Sequence, residues 1–209
     1  MQREPGFKVY LITDRNVLLP AYSLPGALEE ALKGGIEAVQ LREKDLGIRD
    51  LLAMAYRLRE LTARYGAKLF INDRIDIALA VDADGVHLGG SSMPAFAARK
   101  AAGEGMLIGV STHSIGEAKK AEKEGADFIT LGPIFETPSK VKYGKPLGTE
   151  LLREVRAKIS IPVFAIGGIR KEKVENVMEA GASGIALISA ILGSEDIRSN
   201  TEEFMRLLK

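Results

Sequence analysis

Ala180-Gly181-Ala182-Ser183-Gly184-Ile185-Ala186-Leu187-Ile188 runs from the end of a helix, through a glycine and a short polar link, into an apolar stretch. The same junction stands earlier as Glu124-Gly125-Ala126-Asp127-Phe128-Ile129, and more weakly as Val81-Asp82-Ala83-Asp84-Gly85-Val86. A helix that stops on glycine and feeds into a buried strand is the joint of a repeating strand–helix unit. Outward from these joints, apolar strand-like runs are expected at 9–12, 38–42, 68–71, 85–88, 107–110, 128–131, 162–166 and 185–188. Between them apolar residues recur at helical spacing, as in Leu24, Ala27, Leu28, Ala31 and Leu32, or Leu51, Leu52, Ala55 and Leu58. Ser114 suits an N-cap, and Pro94 the first position of a helix. The strands are near-continuously apolar, as in a parallel sheet covered on both faces. Eight such units predict an α/β chain forming a single compact (β/α)8 TIM barrel over residues 1–209. The alternative is an open doubly wound sheet, but its first strand–helix turn would carry GxGxxG where this chain has Thr13-Asp14-Arg15-Asn16.

Composition narrows the class. The chain has 209 residues, 46% hydrophobic and 27% charged, with a net charge of +1. That balance fits a globular protein with a sizeable core and gives no case for nucleic-acid binding. There is no cysteine, hence no disulfide, thiolate metal site or cysteine nucleophile. No apolar run approaches the roughly 18 residues of a membrane span. Residues 1–8 lack the apolar core of a signal peptide, so a cytoplasmic protein is expected, with a homo-oligomer left open.

Barrel active sites lie at the C-terminal ends of the strands. Polar residues gather at those ends here. Gln40, Arg42 and Lys44 alternate after the second apolar run, and alternate strand residues share a face, so a row suited to a polyanion such as diphosphate is expected. Asn72-Asp73 follows the third strand, Ser111-Thr112-His113 the fifth, Thr137-Pro138-Ser139-Lys140 the sixth and Ile188-Ser189 the eighth. Gly167-Gly168-Ile169 reads as a phosphate cradle at a helix N-terminus, or as a turn that needs glycine. Asp73 is either an N-cap or a ligand for Mg2+, a hard ion that favours carboxylate and water. His87 is either lining or core and is given no chemistry; His113 reads as a loop histidine or part of a capping turn. The loop 132–148 is long for a compact domain, which marks it as functional. No Ser-His-Asp or Cys-His set is present to argue for covalent catalysis.

The segments QLREK at 40–44, INDR at 71–74, GVSTHS at 109–114, GPIFETPSK at 132–140, AIGGI at 165–169 and ISAI at 188–191, in this order, resemble the thiamine-phosphate synthase (thiamine-phosphate pyrophosphorylase) family. The resemblance implies transfer of a hydroxymethylpyrimidine group from its diphosphate to the nitrogen of a thiazole phosphate. Diphosphate leaves first, and the thiazole nitrogen captures the resulting pyrimidine-stabilised cation. It implies that Gln40, Arg42, Lys44, Asn72, Ser111 and Lys140 hold the pyrimidine diphosphate, with Arg42, Lys44, Ser111 and Lys140 at the reacting end. Asp73 would hold Mg2+. Thr137, Ser139, Gly168, Ile188 and Ser189 would hold the thiazole phosphate. One departure stands out: where the family has a second metal aspartate after the fourth strand, this chain has Ser92. Two readings stay beside the synthase. A thiazole tautomerase-like isomerase shares the thiazole half, but has a histidine at the position of Pro133 here. A non-catalytic sensor of phosphate metabolites would bind without turnover.

Overall fold

The computed structural model describes residues 4–137 and 145–208. Among them are the strands β1 (Val9–Ile12), β2 (Ala38–Leu41), β3 (Lys68–Asn72), β4 (Gly85–Leu88), β5 (Leu107–Thr112), β6 (Phe128–Leu131), β7 (Val163–Ile166) and β8 (Gly184–Leu187). All neighbours pair in parallel, and β8 pairs with β1, so the sheet closes in sequence order. The expected barrel is the observed fold. Around it lie α1 (Leu24–Lys33), α2 (Ile48–Arg64), α3 (Ile75–Ala80), α4 (Ala95–Ala102), α5 (Ile115–Lys123), α6 (Gly148–Arg156), α7 (Val174–Glu179), α8 (Ser189–Leu192) and α9 (Ile197–Leu207). Pro94 is the N-cap of α4 rather than its first residue. Ser114 caps α5 as expected, its Oγ accepting from Glu117 N at 3.2 Å.

The repeated joint has a physical job at the base of the barrel. Its polar residue accepts a hydrogen bond from a backbone N–H at the start of the preceding strand. Asp127 Oδ2 takes Ile108 N at 2.7 Å, Asp84 Oδ2 takes Leu69 N at 2.8 Å, and Ser183 Oγ takes Val163 N at 3.2 Å. Glu37, before β2, does the same for Lys8 N at 2.8 Å. Each bond ties one strand–helix unit to the next and satisfies a backbone donor, buried in the case of Ile108 N. The reversal before the polar residue needs a left-handed backbone, which Gly125 and Gly181 adopt at φ 88° and 92°. In the weaker echo Asp82 takes that conformation at φ 51° without being glycine.

Strand residues alternate strictly between two cores. Val9, Leu11, Val39, Leu41, Leu69, Ile71, Val86, Leu88, Ile108, Ile129, Leu131 and Leu187 point outward and pack with the buried faces of the helices. Tyr10, Ile12, Ala38, Phe70, Leu107, Phe128, Phe164 and Ala186 fill the interior, closed below by Phe7. The interior fills by pairing large against small across neighbouring strands. Tyr10 registers with Ala38, Phe70 with Gly85, Phe128 with Gly109 and Phe164 with Gly184. A Cβ at Gly85 would lie 2.3 Å from Phe70 Cε1, and one at Gly109 2.4 Å from Phe128 Cζ. These positions therefore leave the room that the rings occupy. The result is an aromatic floor at mid-barrel, with rings 5.2–5.6 Å apart in edge-on contacts such as Tyr10–Phe70 and Phe70–Phe128. Above that floor, the strand ends carry polar residues.

Candidate active site

The alternation that builds the floor also places the layer above it. Interior positions at the C-terminal ends are Gln40 on β2, Asn72 on β3, His87 on β4, Ser111 on β5 and Thr130 on β6. All but Asn72 are connected, with Tyr10 as the link between Gln40 and His87. Gln40 Nε2 donates to Tyr10 Oη at 2.9 Å, and Tyr10 Oη lies 3.5 Å from His87 Nδ1. His87 Nε2 meets Ser111 Oγ at 3.0 Å, and Thr130 Oγ1 reaches the same Oγ at 3.5 Å. Burial holds the His87 imidazole well below its usual value, at about 3; the Asp73 carboxylate opposes this and the Arg42 guanidinium adds to it. Burial likewise pushes the Tyr10 hydroxyl well up, against the bond from Gln40. At neutral pH both groups are uncharged.

A neutral imidazole donates from one nitrogen and accepts at the other. Since Gln40 donates to Tyr10, the tyrosine hydrogen is free for His87 Nδ1. His87 then donates from Nε2 to Ser111 Oγ, which leaves the Ser111 hydrogen free for a ligand above it. Sequence reasoning gave His87 no chemistry and did not consider Tyr10. The signal was available: His87 lies two residues from Gly85, hence on the same interior face.

A second cluster joins the ends of β3 and β4. Asp73 stands in the left-handed region at φ 61°, and its N donates to His87 O at 2.9 Å. Its Oδ2 accepts from Asn72 Nδ2 at 2.8 Å. Its Oδ1 accepts from Ser92 Oγ, which in turn accepts from Gly89 N at 2.6 Å. Asp73 is therefore not the N-cap of α3, a position held by Arg74. Among the described residues there is no group of three or more His, Cys, Asp or Glu placed to hold a metal ion. Asp73 offers one carboxylate, flanked by neutral donors.

The expected polar row is only partly a strand. β2 ends at Leu41, so Arg42 follows the strand and Lys44 lies in a turn. Gln40 is buried, Arg42 half-buried and Lys44 exposed. Arg42 is held at its backbone, its N donating to Thr13 Oγ1 at 2.8 Å.

The helix expected directly after Gly167-Gly168-Ile169 needs correcting. After Gly168 the chain does not enter a helix at once. A one-turn 3-10 segment, Lys171–Lys173, comes first, and α7 starts only at Val174. The glycines also serve close packing. A Cβ on Gly168 would lie 2.4 Å from Glu136 O, and one on Gly167 2.6 Å from Pro133 Cα. Ile134 N donates to Ile166 O at 2.8 Å, and Phe135 N to Gly167 O at 3.0 Å. The end of β7 thus receives the segment leading to Thr137, which is half-buried. Ile188 follows β8 as the N-cap of α8, and Ser189 is the first residue of that helix. Ser139 and Lys140 lie outside the described residues.

No helix among the described residues is long and apolar enough to cross a membrane. The sequence model of the thiamine monophosphate synthase family matches residues 9–191. The chain is 47% identical over 203 residues to a thiamine-phosphate synthase of Halalkalibacterium halodurans, covering 97% of this chain and 96% of that one. It is 48% identical over 193 residues to a thiamine-phosphate synthase of Clostridium novyi, covering 92% and 94%. Among solved structures it resembles a thiamine phosphate pyrophosphorylase from Pyrococcus furiosus, with a TM-score of 0.88 and 42% identity, covering 97% of this chain and 95% of that chain.

Proposed function

Because the chain belongs to the thiamine monophosphate synthase family, we propose that it is a transferase of small-molecule substrates, a single barrel domain that joins a hydroxymethylpyrimidine diphosphate to a thiazole phosphate and releases diphosphate. The observation that carries this reading is the opening above the aromatic floor. There a neutral layer running from Gln40 to Ser111 lies near the Arg42 guanidinium and the Asp73 carboxylate, with Lys44 in the turn that follows β2.

In this reading Gln40 and Ser111 hold the pyrimidine ring end, and Asn72 supports Asp73. Arg42 and Lys44, with Lys140, draw off the charge that develops on the leaving diphosphate, which is where electrostatic stabilisation counts most. Thr137, Ser139, Gly168, Ile188 and Ser189 hold the thiazole phosphate, so that the thiazole nitrogen waits for the cation left behind. Nothing in the chain needs to act as a nucleophile.

The donor set also fits Mg2+, which binds proteins through one or two carboxylates and takes its remaining ligands from water and substrate phosphates. Asp73 would hold it beside Ser92, and it would supply positive charge to the diphosphate. The test is a coupled measurement with both substrates and Mg2+, following thiamine phosphate directly. Formation of that product supports the reading. Binding of both substrates without product would turn it into a sensor.

A further inference from the structure

We propose that Arg15 is a positioning residue that keeps Arg42 and Lys44 available to an anionic ligand by holding the two acids that flank Lys44. The inference rests on the reading of Arg42 and Lys44 given above.

Residues 42–45 read Arg-Glu-Lys-Asp, with charge alternating in sign. Left alone, such a stretch would neutralise itself, each cation having an acid one residue away. In the structure it does not. Glu43 Oε2 accepts from Arg15 N at 3.3 Å and from Arg15 Nε at 3.1 Å. Asp45 Oδ2 accepts from Arg15 Nη2 at 2.6 Å. One guanidinium therefore takes both acids, as a planar fork of donors can and a single ammonium cannot. Among the described residues, neither Arg42 nor Lys44 is in an ion pair.

Burial makes the arrangement asymmetric. The Glu43 side chain is 1% exposed, and its Oε1 has no hydrogen-bond partner among the described residues, so Arg15 is the charge that offsets a desolvated carboxylate. Asp45 is 65% exposed at its side chain and is held only by the outer arm of the same group. Arg15 itself is fixed. It opens the one-turn 3-10 segment Arg15–Val17, whose N-cap Asp14 accepts from Asn16 N at 3.0 Å. Next to it, Thr13 N donates to Gln40 O at 2.9 Å while Thr13 Oγ1 accepts from Arg42 N. The loop after β1 thus grips β2 and the segment after it at four residues, Gln40, Arg42, Glu43 and Asp45. The acids are turned to Arg15, and the two cations between and before them are left out of those ion pairs.

The test uses inorganic diphosphate with Mg2+ as the probe, titrated calorimetrically onto the whole chain. Arg15→Ala should weaken diphosphate binding about tenfold, or ~1.4 kcal/mol, with the KM for the thiazole phosphate unchanged. Adding Glu43→Gln and Asp45→Asn to Arg15→Ala should restore most of the affinity, because the competing acids are then gone. A triple variant that stays weak would show that Arg15 touches the anion or serves only the fold, and would overturn the proposal. So would an Arg15→Ala variant that binds like the parent. Thermal unfolding monitors the fold. If Arg15→Ala does not fold, Arg15→Lys carries the test, since its one ammonium releases an acid that Asp45→Asn removes; no recovery in that pair overturns the proposal equally. Failure of the parent chain to bind diphosphate at all would instead remove the assignment of Arg42 and Lys44.

Discussion

The Ser92 hydroxyl donates to Oδ1 of Asp73, tying the loop after β4 to the end of β3. A neutral hydroxyl thus stands beside the Asp73 carboxylate, and it satisfies that carboxylate without adding charge. Ser92→Asp would place two carboxylates together. In metal-free protein their repulsion should lower stability by on the order of 1–4 kcal/mol. Mg2+ should reverse that loss, and the concentration needed for half-maximal turnover should fall below that of the parent. Melting temperature and turnover, each measured against Mg2+, check both halves. A variant whose melting temperature ignores Mg2+ would show that position 92 does not face the metal.

Arg42 offers a cleaner separation of chemistry from folding. Its backbone N–H is held by Thr13 Oγ1, a bond that no side-chain truncation removes. Arg42→Ala should therefore fold and melt close to the parent. Its turnover should fall by the loss of a charge-assisted contact to the departing diphosphate, about 2–4 kcal/mol in the barrier. Steady-state kinetics beside a melting curve decide it. Unchanged kcat in the folded variant would remove Arg42 from the leaving-group site.

These two residues also show how much of the site can be read from sequence. Gln40 and Arg42 were legible because the period of two in β2 carries on past its end, so both keep the interior phase. For Lys44 the period of two is no guide, because the strand ends at Leu41 and the residue stands in a turn. His87 carries the same phase as Gly85 and could have been assigned to the interior; what stayed hidden was its link to Tyr10, which comes from a strand three places away in the sheet. Glu43 and Arg15 escaped notice because they are far apart in sequence and only the register of β1 on β2 joins them. Gly167-Gly168 showed the limit of a motif. The glycines were visible, but whether they serve an anion or a neighbouring backbone depends on where the next helix starts. The fold was more legible than the site, since strand–helix joints recur and each occurrence supports the others.

The floor beneath the site should be intolerant of added volume. A Cβ at Gly109 would lie 2.4 Å from Phe128 Cζ and 2.6 Å from His87 Nδ1. Phe128 is fully buried among other rings and has little room to yield. Gly109→Ala should cost about 1–3 kcal/mol of stability by overpacking. It should also displace His87 and with it the hydroxyl of Ser111, so turnover should fall further than the melting temperature suggests. Gly105→Ala is the control: a Cβ there meets nothing within 4 Å. Equal melting temperatures for the two variants would contradict the packing argument.

His87 gives a stability signature that can be read by pH. Its folded-state value is lowered by burial to about 3 from 6.5. Between those limits the unfolded chain binds a proton that the folded chain refuses. Stability must then rise with pH through that window and be lost as pH falls below 6.5. Between pH 7 and pH 5 this one group should remove about 2 kcal/mol from the unfolding free energy. His87→Gln keeps hydrogen-bonding capacity but has nothing to titrate. That variant should be less stable at pH 7, through loss of the ordered contacts to Tyr10 and Ser111. It should nevertheless lose about 2 kcal/mol less than the parent on acidification to pH 5. Urea unfolding of both proteins at pH 7, 6 and 5 measures the difference, and the carboxylates common to both cancel. Parallel pH dependence in parent and variant would mean that the buried imidazole takes up its proton without opening the barrel. The directional chain from Gln40 to Ser111 would then not depend on a neutral His87.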